Sequence, residues 1–290
     1  MTIPPDFYFS QARLQDYVEC RRRFQLRYLL DIAWPAVEAE PVIENESHLQ
    51  MGEQFHHLIH QHLVGINSEQ LSRLSQGKPL QGWWQNYLDF MEDPLIKPRF
   101  SGLNSKCFAE ISLSSTLGGY RLIGKFDAIA DFEDQGGVNV SIYDWKTSTN
   151  RPPRVWLANR LQTRIYPYLL INAGASLIQR QPIHPDQVEM IYWFANFPND
   201  PEYFSYTQSQ FDLDHRYLTA LVDEIIQLPA DAYSLASNDR NCRFCTYRSL
   251  CDRGTKAGLM DEIEFEGYEE DRDQPVIPIL DFEQIGEIEF

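Results

Sequence analysis

The stretch Val138-Asn139-Val140-Ser141-Ile142-Tyr143-Asp144-Trp145-Lys146-Thr147 decides how this chain reads. Taken as a strand with a period of two, Val138, Val140, Ile142, Asp144 and Lys146 share one face. An apolar strand that ends on a carboxylate and an ammonium sets both at a sheet edge, about 6–7 Å apart along the backbone. That spacing suits a carboxylate holding a divalent cation beside a lysine that reaches a water or a phosphate. Alone, Asp-x-Lys equally describes a surface pair at a strand end. The preceding run, Gly124-Lys125-Phe126-Asp127, adds a second carboxylate, and a hairpin through Gly136–Gly137 would bring Asp127 close to Asp144. Two carboxylates make a hard oxygen site of the kind Mg²⁺ or Mn²⁺ takes.

Working outward, three extended runs follow one another: Cys107–Ser114, Tyr120–Phe132 and Val138–Thr147. Gly118–Gly119 and Gln135–Gly136–Gly137 separate them, so the pattern predicts an antiparallel meander. Upstream, Ser10 can cap a helix over about 11–30, residues 35–47 read as a loop, a second helix starts near His48, and the Trp83–Trp84 region is helical. Downstream come a helix over about 156–173, a strand over 187–197, a short strand over 203–207 and a helix over about 212–228. This is an α/β core with a central sheet flanked by helices and a helical N-terminal insert.

The net charge of −17 is unfavourable for a partner of nucleic acid, because phosphate contacts need Lys and Arg. Its distribution softens that objection. Residues 261–290 hold twelve carboxylates and one arginine, a net −11, which leaves −6 for the first 260 residues. The sequence therefore divides into a domain over 1–260 and an acidic, mobile tail over 261–290. No run of 18 uncharged apolar residues is present, no secretory signal is visible at Met1–Ser10, and the expected location is the cytoplasm. Five cysteines then point to metal binding or free thiols rather than disulfides.

Gly124–Asp127 followed by Asp144-Trp145-Lys146-Thr147 resembles the paired core motifs of RecB-type PD-(D/E)xK nucleases. Gly52-Glu53-Gln54-Phe55-His56 resembles the helical motif whose histidine contributes to the metal site in that group, and Gln162-Thr163-Arg164-Ile165-Tyr166 its Gln-x-x-x-Tyr motif. Gln162 and Tyr166, four residues apart on a helix, share a face. The resemblance spans about residues 10–255 and implies a restriction-endonuclease-like fold with hydrolysis of DNA phosphodiesters, acting as an exonuclease in repair, recombination or defence. It implies that His56, Asp127 and Asp144, with the Trp145 carbonyl, hold Mg²⁺ or Mn²⁺. Lys146 would position or activate the water, and Gln162 and Tyr166 would orient the substrate. His57 competes with His56 as ligand, and Glu110 is a candidate outer acid, with a salt-bridge or surface role the competing reading. Arg21, Arg22 and Arg23, with Arg151, Arg154 and Arg164, are the expected contacts to the DNA backbone. Single strands or ends are the expected substrates. No G-x-x-x-x-G-K-[ST] loop occurs, so any unwinding would come from a helicase or another protein partner.

Cys242-Arg243-Phe244-Cys245-Thr246-Tyr247-Arg248-Ser249-Leu250-Cys251 lets three thiolates converge on one centre, with Cys20 as a fourth. Four thiolates suit a [4Fe–4S] cluster or structural Zn²⁺. One distant N-terminal cysteine and three clustered near the C-terminus resemble the iron–sulfur branch of the same superfamily, found in recombination helicase–nucleases and CRISPR-adaptation nucleases. The cluster would join the N- and C-terminal parts, and Cys107 stands outside it. Two other readings compete. One is a non-catalytic iron–sulfur module that binds DNA or assists assembly; the other is an RNA or nucleotide hydrolase on the same fold.

Overall fold

The computed structural model describes residues 3–32, 42–134, 137–178, 182–237, 239–242 and 245–254. The acidic segment 261–290 lies outside them. The chain opens with strand β1 (Tyr8–Ser10) and helix α1 (Gln11–Glu19), capped by Ser10, whose side chain accepts from the Arg13 N–H at 3.2 Å. The expected long helix over 11–30 is broken at Cys20, which is extended at φ −162° and ψ 105°. A short helix α2 (Arg21–Phe24) restarts there with the Cys20 Sγ accepting from the Arg23 N–H at 3.4 Å, and a π-helical turn (Gln25–Leu29) follows. Helix α3 (Val42–Leu63) begins six residues before the expected start and takes in 42–47 of the expected loop. The rest of that loop, 35–41, is outside the described residues.

Helices α4 (Ser68–Ser72), α5 (Leu80–Met91) and α6 (Lys97–Ser101) complete the helical insert. Strands β2 (Lys106–Leu117), β3 (Tyr120–Asp134) and β4 (Gly137–Lys146) form the expected antiparallel meander, with Leu117 opposite Tyr120 and Asp134 opposite Gly137. The next helix is two: α7 (Arg154–Asn159) and α8 (Leu161–Ala173), divided at Arg160, whose backbone is extended (φ −67°, ψ 143°). Helix α9 (Ala175–Ile178), strands β5 (Val188–Phe194) and β6 (Glu202–Ser205) and helix α10 (Gln208–Gln227) finish the core.

The sheet is mixed, in the order β1-β3-β4-β5-β6, with β2 also on β3. Pairs β1–β3 and β4–β5 are parallel; β2–β3, β3–β4 and β5–β6 are antiparallel. One face carries Ile142, Val140 and Met190 against α8 and α10, in a core with Leu169, Leu218 and Val222. The other carries Tyr143, Trp145 and Trp193 against α3 and α5, in a core with Phe55, Trp83 and Tyr87. The alternation Ile142, Tyr143, Asp144, Trp145 thus puts Asp144 on the α8 side.

Strict alternation fails at one rung. On β2, Phe108 and Ile111 pack on the same core, and on β3 Phe126 and Ile129 do likewise, each pair three residues apart. Of the two residues between the β2 pair, Ala109 and Glu110, the second has φ +53°. A left-handed glutamate inside a strand is strained, and such strain persists where the surroundings impose it. Both strands exchange faces there, at the point where the candidate site residues collect.

Candidate active site

Strand β3 has β2 along one side, but its other side is shared. β1 pairs with Arg121–Ile123, and β4 begins to pair at Ala128. Residues 124–127 therefore lie where the sheet divides. The ladders extrapolate to a row across three strands, Glu110 on β2, Asp127 on β3 and Asp144 on β4: Ala109 faces Ala128, Ile111 faces Phe126, and Ala128 faces Tyr143.

Each carboxylate in the row has a basic partner. Lys125 Nζ is 2.6 Å from Glu110 Oε2, His56 Nδ1 is 3.4 Å from Asp127 Oδ1, and Lys146 Nζ is 2.9 Å from Asp144 Oδ2. Asp127 Oδ2 also accepts from the Trp145 N–H at 2.9 Å, which ties the β3 carboxylate to the β4 backbone. Burial pushes the Asp127 carboxyl upward, but His56, Lys146 and the Trp145 amide together hold it below the ordinary carboxylate value. Asp144 is buried, and its Oδ1 accepts from Gln162 Nε2 on α8 at 2.6 Å. Tyr166, one turn further on, packs at a tilt against Phe126, with 4.6 Å between ring centroids. Its phenol is pushed far above the usual value by burial and then by Asp144 and Asp127.

Two glycines let the helices come this close. A Cβ at Gly52 would lie 3.2 Å from Thr147 Oγ1, and one at Gly124 would lie 2.8 Å from Leu169 Cδ1 on α8. Gly52 brings α3, with His56, onto the end of β4; His57 is exposed. Among the described residues, the ligand atoms that fall within 4.8 Å of one another belong to His56, Glu110 and Asp127. Two carboxylates are hard oxygen donors that fit Mg²⁺ or Mn²⁺, and an imidazole, a borderline donor, suits Mn²⁺ better than Mg²⁺.

Glu110, expected as an outer acid or a salt-bridge residue, lies in this group and also pairs with Lys125. The signal was available: a turn centred on Gly118–Gly119 with Leu117 opposite Tyr120 puts residue 110 opposite 127. Asn196 carried no sequence signal. Its Nδ2 donates to the carbonyls of Thr147 and Ser148, both at 3.0 Å, and its Oδ1 accepts from Trp83 Nε1 at 2.8 Å. Since an indole N–H only donates, the orientation of this amide is fixed.

The basic residues are largely engaged within the protein. Arg23 is a correction: it is 2% exposed, with its Nε 2.8 Å from Asp16 Oδ1 and its Nη2 on Glu19, so it neutralises buried acids and does not face nucleic acid. Arg21 pairs with Glu224 at 2.5 Å and Arg22 donates to Gln25 at 2.5 Å. Arg151 and Arg154 converge on Glu202, and Arg164 lies 3.1 Å from Asp214. Arg154 keeps half of its side chain exposed.

Cys20, Cys242, Cys245 and Cys251 gather on the α1–α2 side. Burial raises the thiols of Cys242, Cys245 and Cys251, Cys242 to about 11, and in each case repulsion from Cys20 adds to the shift. The N- and C-terminal segments are linked there by Asn241 Nδ2 donating to the Glu19 carbonyl (3.3 Å) and the Tyr247 hydroxyl donating to the Ile32 carbonyl (2.9 Å). Cys107 is apart, on β2 against the Tyr87 core.

A divided mixed sheet with this row of acids and bases has the form of a restriction-endonuclease-like core. The model of the PD-(D/E)XK nuclease superfamily matches residues 8–252, and the chain belongs to that superfamily. No curated protein matches it. Among solved structures, the crystal structure of SSO0001 is 13% identical with a TM-score of 0.41, covering 86% of this chain and 87% of that one. A candidate exonuclease from Eubacterium rectale is 10% identical with a TM-score of 0.47, covering 77% and 81%. Among the described residues no helix is long and apolar enough to cross a membrane.

Proposed function

We propose that the chain is a RecB-type DNA nuclease that hydrolyses phosphodiester bonds with Mg²⁺ or Mn²⁺, as an exonuclease on single strands or ends. The observation that carries this reading is the grouping of His56, Glu110 and Asp127, with Lys146 in contact with Asp144 on the adjoining strand. His56, Glu110, Asp127 and Asp144, with the Trp145 carbonyl, would hold the ion. A divalent ion so held lowers the pKa of bound water and offsets charge on the phosphate. The Lys146 ammonium, a donor only, orients the attacking water and faces the charge that grows on the phosphoryl oxygens as water oxygen bonds to phosphorus and the ester P–O bond breaks. Asp144 fixes that ammonium, and Gln162 fixes Asp144. Tyr166 walls the pocket on the Phe126 side. Arg21, Arg22, Arg151, Arg154 and Arg164 serve the DNA backbone only by exchanging their present partners for phosphates.

The four cysteines hold a [4Fe–4S] cluster in this reading. One N-terminal and three C-terminal thiolates suit such a cluster, with structural Zn²⁺ as the alternative occupant. Residues 1–260 are the nuclease domain, 261–290 an acidic appendage, and the protein works in the cytoplasm in repair, recombination or defence, beside a helicase or other partner.

The test compares wild type with Lys146→Ala, purified without oxygen, on labelled single- and double-stranded DNA with Mg²⁺ or Mn²⁺. Cleavage should fall about 10²–10³-fold in the variant while DNA binding persists. Binding without cleavage by the wild type would sink the nuclease reading in favour of a non-catalytic module.

A further inference from the structure

Three acids and three bases meet at the division of the sheet, yet the three pairs differ in how readily they part. Lys146 and Asp144 have side chains 10% and 4% exposed, so their contact is locked in. His56 and Asp127 both belong to the proposed metal set. The Lys125–Glu110 pair is the open one: the Lys125 side chain is 52% exposed and Glu110 is 22% exposed. Lys125 lies two residues before Asp127 on β3, so its ammonium reaches Glu110 diagonally across the ladder. Glu110 is held by a left-handed backbone in the row with Asp127, and its carboxylate is within ligand distance of both His56 and Asp127.

We propose that Lys125 is a competitor for the metal: its ammonium and a divalent cation contend for the same carboxylate, Glu110, and Lys125 thereby sets how tightly the site binds its ion. The inference rests on the metal-dependent reading above. A half-exposed ion pair is weak enough to be displaced and strong enough to register, with a strength that alters an equilibrium about two- to fivefold. Lys125, half exposed, is the pair member whose ammonium lies nearer solvent, and Glu110 faces the metal set as well.

The experiment is a double-mutant cycle read by Mn²⁺ binding to the full-length protein, following the loss of the free-ion electron spin resonance signal, with no nucleic acid present. Lys125→Met should tighten Mn²⁺ binding about threefold. In a Glu110→Gln background the same change should leave affinity within about 1.5-fold, because the contested carboxylate is gone. Equal tightening in both backgrounds would mean direct repulsion between lysine and ion and would overturn the proposal, as would unchanged or weaker binding in the single variant. Asp127→Asn is the control for the reading beneath it. If wild type and Asp127→Asn bind Mn²⁺ alike, the metal site itself is wrong. If wild type binds Mn²⁺ through Asp127 but cuts no DNA, the nuclease assignment fails while the cycle still decides the role of Lys125.

Discussion

The proposed catalytic site and the cysteine group both gather residues far apart in the chain, and they are held by different means. Glu110, Asp127 and Asp144 stand on adjacent strands: β2 pairs with β3 on both sides of the row, and β3 pairs with β4 from Ala128–Tyr143 onward, so backbone hydrogen bonds set their spacing before any ion binds. The cysteines stand at the break between α1 and α2, in a 3₁₀ turn and in irregular backbone. Their apolar support is a cluster of Leu26, Cys245 and Tyr247, with Ile32 and Cys251 at its margin. A site built on a sheet is preorganised; one built on irregular backbone would, in the cluster reading, gain its rigidity from what the sulfurs bind.

The largest effect expected from that difference follows from removing a ligand at each pocket. Cys20 and Cys242 are 222 positions apart, and cross-linking a loop of that length removes chain entropy from the unfolded state worth about 5 kcal/mol. Cys20→Ala should lower the melting temperature of anaerobically purified protein by about 10–15 °C and abolish its iron content. Asp127→Asn should move the melting temperature far less. Equal, small shifts for both would break the contrast and return the cysteines to free thiols.

The same contrast governs what the sequence made legible. Period-two alternation over 138–146 carried Asp144 and Lys146 to one face, because β4 keeps its pleat throughout. The Glu110–Asp127 rung was hidden from that argument, since a left-handed φ at a glutamate leaves no mark in an apolar pattern; only hairpin arithmetic reaches it. The break at Cys20 involves neither proline nor glycine, so the helix reads as continuous. Arg23 was misread as a surface cation, although Asp16 and Glu19, seven and four residues earlier, are the helical neighbours that claim it. A run of arginines reports the need for positive charge, and a buried acid needs it as much as a phosphate does.

A smaller effect sharpens the preorganisation of the catalytic side. Asn196 joins the exit of β5 to that of β4. It holds the Thr147 and Ser148 carbonyls, the Ala195 N–H donates to the Lys146 carbonyl at 2.7 Å, and His48 on α3 lies 3.3 Å from the Thr147 oxygen. Thr147 is thus where the helix bearing His56 meets the strand bearing Lys146. Asn196→Ala should lower kcat about 10- to 100-fold with KM for DNA little changed, since sub-ångström misplacement of reacting groups is that damaging. Its stability should fall by only about 1–2 kcal/mol. A loss of kcat no greater than the loss of folded protein would reduce Asn196 to a purely structural tie.

The smallest effect concerns pH, where the two pockets should respond with opposite sign. Asp127 is held below 3.8 in the folded protein. Between its folded and unfolded values the unfolded chain binds more protons, so the stability it contributes is present above pH 3.8 and lost as pH falls through the folded value. Cys242 is raised from 9.0 to about 11. There the folded chain keeps the proton longer, so protein freed of metal should lose stability as pH rises from 9 toward 11. Urea unfolding in chelator, comparing wild type with Asp127→Asn in acid and with Cys242→Ser in base, separates the two. The advantage of wild type over Asp127→Asn should shrink as the solution is acidified, and the wild type should weaken relative to Cys242→Ser as it is made alkaline. If loading the cysteines with iron removes the alkaline loss but leaves the acid one, the occupant of the cysteine pocket acts on that pocket alone. Loss of both on iron loading would mean that the two pockets share one cooperative element, for which the chain from Glu19 through Gln15 to the Leu161 amide (3.1 and 3.4 Å), one residue from Gln162, is the structural route.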